Sequence, residues 1–138
     1  MEQPSPRVLV VDDEEGIRNF AARALASEGY DVVVASDGPD ALLLVEAERL
    51  FDVFVIDVMM PRMRGDELGR RLHQRDPDTK VLYFTGYTEQ LFAERPVLRE
   101  NEAVVEKPVT VGEFQEAVSL LLFGHARGPA AGTSGLPA

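Results

Sequence analysis

The chain has 138 residues, 45% hydrophobic and 28% charged, which suits one soluble domain with one sizeable core. With 24 acidic against 14 basic residues the formal net charge is −10. Such a surface repels nucleic-acid phosphates, so direct binding to DNA or RNA is not expected. There is no cysteine, which excludes disulfides, thiolate metal sites and thiol catalysis.

Met1–Arg7 is polar and proline-bearing and lacks the apolar run of a signal peptide, so residues 1–6 are expected to be a flexible N-terminus. The longest apolar stretches, such as Val53–Ile56, are far too short to cross a bilayer. A cytoplasmic protein without membrane insertion is the expectation. Arg7–Val11 reads as a first strand, rich in Val and Leu. Ile17, Phe20, Ala21, Ala24 and Leu25 then recur at helical spacing, and Gly29 stops that helix. Tyr30–Ala35 is a second strand, Ser36–Pro39 a turn, and Asp40–Arg49 a second helix. Asp52–Ile56 follows as a strand that is apolar on both faces after its first residue. Arg64–Gln74 is helical, with Leu68 and Leu72 at i, i+4. Lys80–Phe84 is a fourth strand, Thr88–Glu94 a short helical piece, and Ala103–Val105 a brief fifth strand. Thr110–Phe123 is the last helix, with Phe114, Ala117, Val118, Leu121 and Leu122 on one face. From Gly124 onward the sequence is small, Gly/Pro-rich and without periodicity, so 124–138 is expected to be a disordered tail or linker stub.

Strict alternation of strands and helices predicts an α/β fold: a flavodoxin-like, doubly wound, five-stranded parallel sheet with about five helices, spanning residues 7–123. In such sheets ligands bind beyond the carboxyl ends of the strands. Asp12 and Asp13 follow the first strand, Asp57 the third, Thr85 the fourth and Lys107 the fifth, so all five should meet at one sheet edge. Three gathered carboxylates repel one another unless cations neutralise them. Oxygen ligands suit a hard cation such as Mg²⁺. Lys107 would add a fixed positive charge and Thr85 a hydroxyl. The set suits phosphoryl transfer onto a carboxylate nucleophile, which needs positioning and charge neutralisation.

Taken singly, each residue also has a plainer role. Asp12 or Asp13 can be the N-cap of the following helix, and Glu14 and Glu15 first-turn residues favoured by the helix dipole. Lys107 before a proline and Thr85 before a glycine can be loop and turn residues. His73 and His125 are read as surface or tail residues, and Met59, Met60 and Met63 as packing residues.

Together the motifs resemble the receiver domain of bacterial two-component response regulators. The resemblance is carried by Val-Leu-Val-Val-Asp12-Asp13-Glu, by Val-Ile-Asp57-Val-Met-Met-Pro61 with Gly65 following, by Phe-Thr85-Gly86, and by Lys107-Pro108. It implies two-component signal transduction by a phosphoprotein: a phosphoryl group passes to Asp57 from the phosphohistidine of a sensor histidine kinase or a histidine phosphotransfer protein. It further implies that Asp13, Asp57 and the backbone carbonyl of Met59 ligate Mg²⁺, with Asp12 acting through a metal-bound water and Mn²⁺ or Ca²⁺ able to substitute. Thr85 would bond a phosphoryl oxygen beside Gly86. Lys107 would pair with Asp57 before transfer and with the phosphoryl group afterwards, aimed by a cis bond to Pro108. Pro61 and Gly65 would shape the loop after the acceptor. Such a module is a signalling switch rather than an enzyme with an external substrate; it catalyses its own phosphotransfer and slow autodephosphorylation.

Two departures stand out. Many receivers carry Tyr or Phe three positions before the lysine, where this chain has Val104, and the fourth helix is short, followed by Arg95-Pro96. Tyr87 is the alternative aromatic expected to carry the conformational response. The Leu82–Thr88 run looks like receivers appended to hybrid histidine kinases. Among other readings, an aspartate-nucleophile phosphatase would want a second aspartate where Met59 stands, and a flavodoxin-like cofactor binder would want a Gly-rich loop after the first strand. A pseudo-receiver would have lost acidic-pocket residues. The output partner is open: the module could be a stand-alone regulator, a phosphorelay intermediate or a piece of a longer chain.

Overall fold

The computed structural model describes residues 5–48, 50–86 and 98–124. Along them run β1 (Arg7–Val11), α1 (Glu15–Ala26), β2 (Asp31–Ala35), α2 (Gly38–Glu48), β3 (Val53–Ile56), α3 (Gly65–Arg75), β4 (Val81–Thr85), β5 (Glu102–Glu106) and α4 (Val111–Phe123). The strands form one parallel sheet in the order β2-β1-β3-β4-β5. The helical piece expected at Thr88–Glu94, the aromatic Tyr87 and the tail from His125 lie outside the described residues.

Apolar side chains on both faces of the strands explain why both faces are covered. Leu9, Val11, Phe54, Ile56, Val81 and Tyr83 bury one face against Leu68 and Leu72 of α3 and Ala41 and Val45 of α2. Val8, Val10, Val53, Val55, Leu82 and Phe84 bury the other against α1 and α4, where Phe20, Phe84 and Phe114 pack ring to ring at 4.8–6.2 Å. The two-residue period of a strand sends alternate side chains into these two cores.

Element ends follow local chemistry. α1 gives way to Gly29 at φ 89°. α2 begins two residues earlier than its periodicity predicts, because Asp37 caps it: Oδ1 accepts the Asp40 N–H at 2.9 Å. Pro39 sits in the first turn, where a missing N–H loses no helical bond. Thr110 caps α4 in a reciprocal capping box with Glu113, and Gly124 closes it at φ 77°.

Two sequence expectations are corrected here. His73 is not a surface residue but is 4% exposed. It lies on the buried stripe of α3 with Gly65, Leu68, Gly69 and Leu72, and ring nitrogen Nε2 is 2.8 Å from the Thr79 carbonyl. Nδ1 faces Glu102 Oε2 at 3.5 Å, and the same oxygen accepts the Tyr83 hydroxyl at 3.2 Å. Gly69 makes room for that hydroxyl, since a Cβ there would collide with it. Helical spacing, not polarity, decided the burial of His73. Met59 departs the other way: Met60 is buried and Met63 packs on the core, but Met59 is 38% exposed with its sulfur 3.5 Å from Arg64 Nη1.

Candidate functional site

The ladder that joins the strands runs on into the residues just past their ends. The Asp12 N–H donates to Ala35 O at 3.2 Å, Asp57 N–H to Val11 O at 3.0 Å, and Lys107 N–H to Thr85 O at 3.0 Å. Each functional backbone is thereby registered on its neighbouring strand, and the side chains meet where the chain changes direction about β1 and β3. The Lys107–Pro108 peptide bond is cis, as the resemblance to receiver domains implies.

Asp12, Asp13 and Asp57 each offer an oxygen, and these oxygens all lie within 4.8 Å of one another. Asp12 and Asp57 are 2% and 5% exposed, whereas Asp13 opens to solvent. Lys107 Nζ lies 2.9 Å from Asp12 Oδ2 and 3.6 Å from Asp57 Oδ1, and 5.3 Å over the Phe84 ring. Its nearer partner is therefore Asp12. Thr85 is fully buried at the end of β4, where its hydroxyl acts to lower the Asp57 carboxyl. Asp57 Oδ1 is buried without a hydrogen bond among the described residues.

Burial pushes the Asp57 carboxyl up to about 6, with the Asp12 carboxylate adding to the rise; Lys107 and Thr85 only partly offset them. Burial raises Asp12 as well, against the Lys107 hydrogen bond and the Glu14 N–H. One ammonium does not neutralise three carboxylates. The donor set is all oxygen, one member is exposed, and one buried oxygen has no hydrogen bond, so the residues fit a hard, partly hydrated divalent cation.

The plainer role of Asp12 is partly real: Oδ1 accepts the Glu14 N–H at 2.9 Å, a local turn bond. It is not the N-cap, a position that falls to Glu14, whose side chain makes no capping bond; Glu15 opens the first turn. Met59 lies two residues beyond Asp57 in the exposed loop that leads to α3. That loop is closed by the Gly65 N–H on Val58 O at 2.7 Å, and a Cβ on Gly65 would collide with the Asp57 carbonyl. Two arginines escaped sequence reasoning. Arg18 of α1 donates to the Asp12 carbonyl at 2.7 Å, and Arg62 reaches Asp37 in the neighbouring loop. Arg18, one turn into α1, was open to discovery from helical geometry; Arg62 carried no local signal.

A doubly wound parallel sheet with an acidic cluster, a lysine and a hydroxyl at its carboxyl edge defines a phosphoryl-accepting switch. Residues 8–119 match the model of the response regulator receiver domain, and the chain belongs to that family. It is 35% identical over 119 residues to the sensor kinase CckA of Brucella abortus, an alignment covering 86% of this chain and 13% of that protein. It is 42% identical over 81 residues to the response regulator MprA of Mycobacterium bovis, covering 59% of this chain and 35% of that one. The crystal structure of the response regulator TrrA of Thermotoga maritima, in complex with Mg²⁺ and BeF, superposes with a TM-score of 0.73 at 30% identity, covering 85% of this chain and 99% of that one. The chain thus spans a small part of the curated relatives it matches and nearly the whole of a solved receiver. Receiver domains are signalling switches of two-component systems; they accept phosphate from histidine kinases on an aspartate and bind Mg²⁺ at an acidic cluster, of which Asp12, Asp13 and Asp57 form one. No helix among the described residues is long and apolar enough to cross a membrane.

Proposed function

We propose that residues 7–123 form the phosphorylation unit, flanked by 1–6 and 124–138, and that Asp57 is the acceptor. An Asp57 carboxylate oxygen attacks the phosphorus of a phosphohistidine, on a histidine kinase or a histidine phosphotransfer protein. The P–N bond breaks, an acyl phosphate forms, and the imidazole leaves. Asp13, Asp57 and the main-chain carbonyl of Met59 would hold Mg²⁺ directly and Asp12 would act on it through water, and Mn²⁺ or Ca²⁺ would serve in its place. When bound, the cation neutralises the carboxylates and the charge on the incoming phosphoryl oxygens. Thr85 donates its hydroxyl to a phosphoryl oxygen. Lys107, held over Phe84 between Asp12 and Asp57, turns to the phosphoryl group once it arrives. The chain catalyses this transfer and, slowly, its own dephosphorylation, in which water takes the phosphoryl group as inorganic phosphate and the Asp57 carboxylate is restored; it does so in the cytoplasm, and an unidentified output partner reads the result.

The observation that carries this reading is the meeting of Asp12, Asp13, Asp57, Thr85 and Lys107 from the ends of four strands, with 95 positions between the first and the last. Incubation with acetyl phosphate and Mg²⁺ should add one phosphoryl group by intact mass, and either Asp57→Asn or chelation of the metal should remove the addition. Equal labelling of Asp57→Asn would refute the assignment.

A further inference from the structure

Arg62, in the loop between Asp57 and α3, holds φ at 71°, the only non-glycine among the described residues with a positive φ. A side chain in that region costs free energy that glycine avoids, and such strain persists only where surrounding contacts enforce it. What the side chain provides is visible. Its Nε donates to Asp37 Oδ2 at 3.0 Å and its Nη2 donates to the same oxygen. Asp37 is 8% exposed at the corner between β2 and α2, and its other oxygen caps α2 through the Asp40 N–H. The Asp40 N–H and the Arg62 guanidinium hold its carboxyl below the usual carboxylate range, so it stays charged. The two loops also touch sterically: a Cβ on Gly38 would stand 2.7 Å from Met63 Sδ.

We propose that the Arg62–Asp37 ion pair is a positioning pair for the acceptor loop, fixing residues 57–64 against the β2–α2 corner in the shape that receives the divalent cation. This rests on the metal reading given above. The loop is already pinned at its far end by the Gly65 N–H on Val58 O and in its middle by buried Met60. Arg62 adds the lateral tie, from the loop that carries Met59 to the rigid start of a helix. Its own side chain is 63% exposed. Solvent screens the Arg62 end of the pair, so the tie acts on loop geometry far more than on folding stability.

The test is Mg²⁺ affinity of the full chain, measured by displacement of Mn²⁺ followed by electron paramagnetic resonance, alongside thermal unfolding. Arg62→Gly keeps the left-handed turn without strain and deletes the guanidinium. Asp37→Asn keeps the helix cap and deletes the charge. Each should weaken Mg²⁺ binding about five- to tenfold, at the low end for groups one step removed from a metal, with a melting temperature close to wild type. The double variant should bind as weakly as either single one, and Arg62→Lys should recover part of the loss. Wild-type affinity in Arg62→Gly would overturn the inference, since the residue would then serve the turn alone; so would losses that multiply in the double variant. A wild-type chain that binds no Mg²⁺ overturns the metal reading and this inference with it, whereas wild-type binding with unaffected variants overturns only the latter.

Discussion

Two of the carboxylate clusters buried among the described residues are finished differently. Glu102, with its side chain fully buried at the start of β5, accepts the Tyr83 hydroxyl on Oε2 and the Arg99 N–H on Oε1 at 3.0 Å, with the Arg99 guanidinium 4.0 Å away. Asp57, equally buried, leaves Oδ1 without a hydrogen bond and shares its pocket with two further carboxylates and a lysine that lies closer to Asp12. In the first cluster the chain itself satisfies both carboxylate oxygens, although the facing His73 Nδ1 has no hydrogen bond of its own, and the cluster ties α3 to β4 and β5. The second is left short of positive charge, so its completion falls to a ligand. Burial of charge alone does not mark a functional site; uncompensated burial does.

Replacing Glu102 by Leu should produce the largest effect. It strands a buried tyrosine hydroxyl, the Arg99 N–H and the facing histidine, so unfolding free energy should fall by about 3–5 kcal/mol in denaturant titration. Phosphoryl labelling at low temperature should persist. A neutral outcome would mean that the Glu102 cluster is no better compensated than the acceptor pocket.

Asp57→Asn should move stability the other way. The folded-state carboxyl lies near 6, above its ordinary 3.8, so the native state holds this proton more tightly than the unfolded chain does. The group's contribution is therefore fully present below about pH 4 and is lost as pH rises through about 6. In metal-free protein at pH 7 the loss corresponds to as much as about 3 kcal/mol. The asparagine variant should be more stable there by a large part of that amount, and should lack the decline between pH 4 and 6. Mg²⁺ should restore the wild type and not the variant. A variant less stable than wild type at pH 7 without metal would show that the Asp57 pocket is already compensated.

Within the acceptor pocket, exposed Asp13 and buried Asp12 should differ. Asp13→Ala should weaken Mg²⁺ binding at least tenfold more than Asp12→Ala, about 1.4 kcal/mol, because Asp12 is engaged by Lys107 and the Glu14 N–H while Asp13 opens to solvent. The opposite order in a metal titration would exchange the two roles. The smallest effect belongs to Tyr83→Phe, which removes one donor from Glu102 while other donors remain; a loss of about 1 kcal/mol is expected in thermal or chemical unfolding.

Much of this was legible in the sequence. β1 falls on Arg7–Val11 as its run of Val and Leu predicts, and the other described elements lie within two residues of their predicted ends, because strand and helix periodicities are local properties. The five site residues were legible for a different reason: each stands at or beside the end of a strand, and parallel strands deliver those ends to one edge. His73 was misread because polarity is a property of the residue, whereas burial depends on which stripe of α3 faces the sheet. Met59 was misread because loop side chains follow no period. Val104 reads as a strand residue and is one, half-buried and paired with Tyr83 across the β4–β5 ladder.

The sequence by itself determined the order of elements, the parallel sheet and the identity of the residues at its carboxyl edge, since those depend on short-range spacing and on the rule that connects successive parallel strands. Only the tertiary structure decided which charge compensates which. Lys107 rests on Asp12 rather than Asp57, Arg62 crosses to Asp37, and Glu102 is satisfied by Tyr83 and Arg99. The physical reason is that electrostatic compensation depends on distances of a few ångströms between residues far apart along the chain, and on how much water burial has removed from between them.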